Sequence, residues 1–164
     1  MADLILQVFS KSPEVESVKT RLSQALSLKQ RQTLQRNLLQ HTLKTCSQLH
    51  TNCHLWMYPN LDHSAEHIGH QHQVTLHTQT GQDLGERMLT ALNLATQTPN
   101  TMTLLMGTDC PSIDKDYLSE ATNVLSQCAD SVVIGPANDG GFVLIGSNRS
   151  LPPTVFNDVV WGGS

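Results

Sequence analysis

The stretch TLLMGTDCPS, Thr103 to Ser112, joins a short apolar run to a carboxylate. Leu104, Leu105 and Met106 are apolar without alternation, which reads as a buried strand. Gly107 ends the run, Asp109 follows, and Pro111 stiffens the chain that leaves. In parallel sheets ligands bind beyond the carboxyl ends of the strands. A carboxylate placed there is a candidate site residue. The alternative is a helix cap, but Ser112 and Asp114 are better spaced to cap the helix that follows.

Similar runs lie on both sides of this one. Leu4–Phe9 reads as a strand, Leu55–Tyr58 as a second stopped by Pro59, and Val74–Thr78 alternates like a third. Between them, Leu34, Leu38, Leu39, Leu43, Cys46 and Leu49 recur at helical spacing over residues 28–49. Leu84, Met88, Leu92 and Ala95 predict another helix, with Asp83 and Glu86 spaced like a capping box at its start. Tyr117, Leu118, Ala121, Leu125 and Cys128 predict one more. Ser131–Gly135 and Phe142–Ile145 read as strands joined by the turn PANDGG. Strands alternating with helices predict an α/β layer fold with a mainly parallel sheet, in one domain over residues 1–164. Asn60–Gln73, polar and rich in histidine, reads as a loose loop.

Composition excludes several classes of function. Ten Lys plus Arg against 14 Asp plus Glu leave a net charge of −4, which argues against nucleic acid as a partner. No run is apolar over a length that spans a bilayer. The opening MADLILQVFSK lacks the basic region and cleavage site of a secretory signal, so a cytoplasmic location is expected. Cys46, Cys53, Cys110 and Cys128 form no C-x-x-C pair and are expected to be free thiols.

Beside Asp109, three groups of residues carry candidate chemistry. FSKSPEVESVKTRLS, Phe9–Ser23, brings Lys11, Lys19 and Arg21 into one loop after the first strand. Such a loop suits a phosphate-bearing ligand, and it is equally readable as a solvated basic turn. In PANDGG, Asp139 with Gly140 and Gly141 either faces a cleft or forms a hairpin turn, and local sequence favours the hairpin. His63, His67, His70 and His72 have spacings that could hold a metal, but Gly69 interrupts them and they read as loop residues. Asp109 itself suits a magnesium ion, which takes few protein carboxylates together with substrate oxygens and water.

The segments KSPEVESVKTRL, GQDLGERM, LLMGTDCPS and GPANDGGFVLIG, in that order, resemble the bacterial glycosyltransferase-like family also called radical-SAM/selenodomain-associated transferase. The resemblance covers about Leu4 to Trp161. It implies the three-layer α/β/α, type-A glycosyltransferase fold of the nucleotide-diphospho-sugar transferases. It also implies a metal-dependent transferase using a nucleotide-activated donor, with glycosyl transfer from a nucleotide-sugar expected first. The alternatives are guanylyl- or cytidylyl-type nucleotidyl transfer, or a non-catalytic nucleotide-binding remnant. Ser10, Lys11, Lys19 and Arg21 match positions expected to hold the nucleotide phosphates. Gln79, Gly81 and Asp83 match positions expected near the base or sugar. Asp109 matches the ligand of Mg2+ or Mn2+, Gly140 and Gly141 match the acceptor side, and Asp139 is the candidate general base.

Two features depart from the family pattern. Glu16 stands where glycine is usual and adds an anion where phosphates are expected, so Glu16→Gly is expected to tighten nucleotide binding. The chain ends at VVWGGS, where the family continues, so a C-terminally short domain is expected. Phe156, Val159, Val160 and Trp161 would then pack back on the sheet or into a neighbouring chain, and an open sheet edge is compatible with a homo-oligomer.

Overall fold

The computed structural model describes residues 2–161. Among them six strands form one sheet in the order β3-β2-β1-β4-β6-β5. The strands are β1 Asp3–Lys11, β2 Asn52–Tyr58, β3 Thr75–Thr78, β4 Thr101–Gly107, β5 Val132–Pro136 and β6 Phe142–Ser147. The helices are α1 Leu28–Ser47, α2 His63–Gln71, α3 Leu84–Thr96 and α4 Lys115–Gln127. β1 pairs in parallel with β2 on one side and β4 on the other, β2 pairs in parallel with β3, and β6 runs antiparallel between β4 and β5.

Strand periodicity sorts the core into two layers. Leu6, Val8, Leu55, Met57, Met102, Leu104 and Met106 face α1, α2 and α4. Phe9, Trp56, Leu105 and Ile145 point to the opposite face and pack with Met88, Ala91 and Leu92 of α3 and with Leu151. All six residues Thr101–Met106 of β4 are buried, because this strand lies in the middle of the sheet and is covered on both faces. The uninterrupted apolar run that marked it in the sequence follows from that cover.

A buried glutamine ties the second layer together. Gln7, fully buried on β1, donates from Nε2 to the Ala91 carbonyl (2.9 Å) and to Thr103 Oγ1 (2.9 Å). Its Oε1 accepts from Trp56 Nε1 at 2.8 Å. One side chain thus links β1 to β2, β4 and α3, and its polar atoms are satisfied as burial demands.

Residues 60–73 are not a loose loop. α2 spans His63–Gln71, capped by Asp62, whose carboxylate accepts from the Ala65 amide at 2.8 Å. Ala65, Ile68 and Gly69 form its buried face. Gly69, read as an interruption, is needed there because a β-carbon would run into the Leu76 side chain of β3. The histidines fall mainly on the outer face, and His63 is 96% exposed. Among the described residues no group of three or more His, Cys, Asp or Glu could hold a metal ion. The capping box expected at α3 is shifted: Asp83 caps the Glu86 amide, but Glu86 reaches back to the Gln82 amide. A reciprocal box forms instead at α1, between Ser27 and Gln30.

The four cysteines are free thiols, as expected. Hydrogen bonding to Cys46 and burial push the Cys53 thiol well above its ordinary range. Among the described residues no helix is long and apolar enough to cross a membrane.

Candidate functional site

The strand order places a cleft. From β1 the chain steps outward to β2 and β3, then returns to lay β4 on the other side of β1. β1 and β4 stay paired to the end of β4, at Phe9 and Gly107, but the connections that leave their carboxyl ends lead toward opposite edges of the sheet, and a crevice opens above them. Its volume is about 840 Å3. β1 delivers Phe9, Ser10 and Lys11 to it, β4 delivers Gly107, Thr108 and Asp109, and the loop after β1 folds Lys19, Thr20, Arg21 and Leu22 over one side. Leu34, Gln35 and Leu38 of α1 form one wall, and Tyr58, Gln79, Leu84 and Arg87 form the other.

The loop that carries the cations is gripped from behind. Arg31 Nη1 donates to the carbonyls of Val18 (2.6 Å) and Glu16 (3.3 Å), and Gln32 Nε2 donates to the Glu14 carbonyl (2.8 Å). The fully buried side chain of Val18 anchors the segment just before Lys19. Lys19 has φ 50° and ψ 42°, a left-handed conformation uncommon outside glycine. Its ammonium bonds directly to the Asp109 carboxylate across the cleft. Lys11 Nζ lies 3.3 Å from the Ser17 carbonyl to which it donates.

The floor is polar and ordered. Gln35, 2% exposed, donates from Nε2 to Ser10 Oγ (2.8 Å) and lies within reach of the Lys11 carbonyl (3.3 Å) and Thr108 Oγ1 (3.4 Å). It bridges the end of β1 and the segment that leaves β4. On the far wall, Gln79 Nε2 donates to the Trp56 carbonyl at 3.0 Å. The Arg87 guanidinium stacks 3.8 Å above the Tyr58 ring and donates from Nε to the Gly81 carbonyl at 3.2 Å.

Ser10, Lys11, Lys19, Arg21, Gln79 and Asp109, named from the sequence, meet in this cleft. Gly81 and Asp83 do not line it. They build the entry to α3: Gly81 has φ 144° and its carbonyl orients Arg87, while Asp83 caps the helix. Asp139, Gly140 and Gly141 sit at the tip of the β5–β6 hairpin, on the same edge of the sheet but outside the cleft lining. Asp139 Oδ1 accepts from the Gly141 amide at 3.1 Å, and Gly140 takes φ 87°. The local hairpin preference is what the structure displays, and Asp139 holds its own turn. Glu16 is exposed, lies outside the cleft lining, and has no left-handed φ that would call for glycine.

Gln35, Tyr58, Arg87 and Thr108 were not singled out in the sequence. Gln35 had a usable signal, since it lies four residues before Leu39 on the apolar face of α1 and is polar. Arg87 stands inside the GQDLGERM segment that carries the resemblance, whereas Tyr58 had no signal, because its approach to Arg87 is tertiary.

Asp109 is the one carboxylate among the residues lining the cleft. Its side chain is 75% exposed, and its observed partner is a cation, the Lys19 ammonium. A lone exposed carboxylate fits a magnesium or manganese ion that takes its remaining ligands from water and substrate. It does not fit an ion held by protein ligands alone. Gly107 leaves room beside it, since a β-carbon there would meet nothing within 4 Å.

Comparison with known proteins places this architecture. The family model described as an uncharacterized protein conserved in bacteria (DUF2064) matches residues 38–163. A crystal structure from Desulfovibrio desulfuricans G20, provisionally named a nucleotide-diphospho-sugar transferase, is 32% identical with a TM-score of 0.86, covering 100% of this chain and 71% of that one. A cytidylyltransferase from Leptospira borgpetersenii serovar Hardjo-bovis (strain JB197) shares 14% identity at a TM-score of 0.58, over 90% of this chain and 61% of that one. A 4-diphosphocytidyl-2C-methyl-D-erythritol synthase shares 12% at 0.57, over 85% and 62%. The last two likenesses are of fold alone. No curated protein matched the chain. The family match and the Desulfovibrio likeness bear out the resemblance read from the sequence: the chain belongs to the bacterial DUF2064 family and has the nucleotide-diphospho-sugar transferase fold.

Proposed function

We propose that the chain is a transferase acting on a nucleotide-activated donor, and that its reaction is glycosyl transfer from a nucleotide-sugar assisted by Mg2+ or Mn2+. The observation that carries this reading is the charge of the cleft. Lys11, Lys19, Arg21 and Arg87 line it against Asp109 alone, in a chain whose net charge is −4. A cationic crevice in an acidic protein selects an anionic ligand. Its position at the topological switch point is where this class of sheet binds nucleotides. Leu22, Leu34, Leu38 and Leu84 add apolar walls that suit the face of a base.

Each part has a task in such a reaction. Lys11, Lys19 and Arg21 neutralise the phosphates, and Gln35 keeps the ends of β1 and β4 at a fixed separation. Tyr58 and Arg87 offer a stacked planar surface on the far wall. A divalent cation at Asp109 would supply stabilisation of the negative charge that gathers on the departing diphosphate.

Nucleotidyl transfer from a nucleoside triphosphate is a second reading, favoured by the same excess of cations, which would also balance a longer phosphate chain. Product analysis separates the two, since the second releases pyrophosphate.

The test is calorimetry and thermal shift with nucleotides and nucleotide-sugars, with and without Mg2+ or Mn2+. A ligand at about one hundred times its dissociation constant should stabilise the protein by about 2.7 kcal/mol. Asp109→Asn should abolish the metal-dependent part of that gain and leave the unliganded melting temperature unchanged. Failure of every nucleotide to bind would remove the reading. Equal Mg2+-dependent affinity in the two proteins would remove Asp109 as the metal ligand.

A further inference from the structure

Lys19 and Asp109 reach each other from opposite sides of the cleft, 90 residues apart in sequence. Their surroundings are unequal. The lysine side chain is 14% exposed and the carboxylate 75% exposed. The buried stem of Lys19 and its left-handed backbone fix where the ammonium emerges, and the Leu22 amide donates to the Lys19 carbonyl at 2.9 Å. Asp109 is otherwise touched by a weak bond from its neighbour Thr108, at 3.4 Å. Lys11, Arg21 and Arg87 line the same cleft without bonding to it. So one cation out of four is committed to the carboxylate that a metal would need, and it occupies that carboxylate's Oδ1.

We propose that Lys19 is the resident counter-ion of Asp109. It holds the carboxylate in place of a divalent cation, and it passes its ammonium to phosphate oxygens when a phosphate-bearing ligand and the cation enter together. The inference rests on reading the cleft as a nucleotide-phosphate site. The physical reason is competition. Two cations cannot share one exposed carboxylate without repelling each other, so the divalent ion gains little until an anion draws the lysine off. The incoming phosphates supply that anion and the ion's remaining oxygen ligands at once. The device prevents the free protein from loading metal without substrate.

The test needs no turnover. Mn2+ binding to the full chain, free of nucleotide, is followed by the loss of the free-ion paramagnetic resonance signal. Lys19→Met should bind Mn2+ about tenfold more tightly than the unmodified protein, equivalent to about 1.4 kcal/mol. Lys19→Arg, which keeps the charge, should not. Adding Asp109→Asn to Lys19→Met should cancel the gain. Circular dichroism checks that each variant is folded, and Lys19→Gln replaces the methionine variant if that one is not.

A second arm reads the freed ammonium. In EDTA, inorganic pyrophosphate should bind Asp109→Asn more tightly than the unmodified protein, the reverse of the order expected with Mg2+. Equal Mn2+ affinity with and without the Lys19 charge overturns the proposal, as does a gain that survives Asp109→Asn. Pyrophosphate binding to neither protein overturns the hand-over to phosphate and the nucleotide reading beneath it. The Mn2+ series judges the ion pair independently of that reading.

Discussion

Glu16 and Gln35 illustrate how position outweighs residue type. Glu16 is an anion in a loop full of cations, and by sequence it opposes phosphate binding. In the folded chain it is exposed and off the cleft, and its carbonyl is held by Arg31. Its field at the cleft is screened by water and salt. Glu16→Gly is therefore expected to leave nucleotide diphosphate affinity within about twofold, as measured by calorimetry at physiological ionic strength. A large gain would mean that the loop brings Glu16 inward when ligand binds. Gln35 is the converse, a polar residue on a buried helix face, held there because Ser10, Lys11 and Thr108 offer it partners.

Among the elements, two glycines make a controlled comparison. Gly146 lies in β6, between β4 and β5, where a β-carbon would sit 2.7 Å from the Thr103 carbonyl oxygen and 3.0 Å from Val133 Cγ1. The backbone oxygen cannot retreat without breaking the ladder. Gly146→Ala should cost about 2 kcal/mol in urea unfolding, within the range for overpacked sites. Gly107→Ala, at the end of β4, meets open space and should leave stability unchanged.

The β2–β3 edge carries a pH dependence of its own. His54 Nδ1 and His77 Nε2 are 3.2 Å apart, and His77 stacks on Trp56 with ring centres 4.2 Å apart. Burial lowers both imidazoles below their ordinary range, and the neighbouring charge of His77 lowers His54 further. Burial lowers His72 as well. The unfolded chain therefore takes up protons at a higher pH than the folded one. Stability is full above the unfolded value of 6.5 and declines as pH falls below it. The melting temperature should drop between about pH 7 and pH 5, and the slope should flatten in the double variant His54→Gln, His77→Gln. An unchanged slope would clear this pair.

For the whole molecule, the segment after β6 closes the second layer. Leu151 is buried and clamped to α3 by Asn93, which accepts from the Leu151 amide at 2.7 Å and donates to its carbonyl at 3.0 Å. Phe156 and Trp161 then fold back to meet Phe142 and the first turn of α3 at Gly85. Their expected return to the sheet is seen, while Val159 and Val160 stay exposed, at 43% and 83%. Residues 162–164 of the terminal VVWGGS lie outside the described residues. Asn93→Ala removes both bonds of the clamp and should cost about 2 kcal/mol. Red-shifted, more quenchable tryptophan fluorescence should accompany the loss. Full retention of stability would show that apolar contacts alone hold the segment.

The alternation of strands and helices, the doubly buried β4 and the amphipathic face of α1 were legible in the chain because each is written in a local period. Asp109 could be named because it stands just past a strand end, where such sheets bind ligands, Lys11, Lys19 and Arg21 because they gather cations in the loop after β1, and Ser10 and Gln79 through the family resemblance. What the sequence could not determine are the matters settled by partners distant along the chain. α2 looked irregular because its glycine answers to Leu76 on another element, not to its own helix. The Asp139 turn was readable from local sequence, but its place outside the cleft lining was not, because that depends on where the β5–β6 hairpin sits in the sheet. The stacking of Arg87 on Tyr58 and the pairing of Lys19 with Asp109 arise only when the return of β4 to the side of β1 brings their elements to one edge. Periodicity is a property of neighbours in sequence, whereas a cleft is a property of neighbours in space.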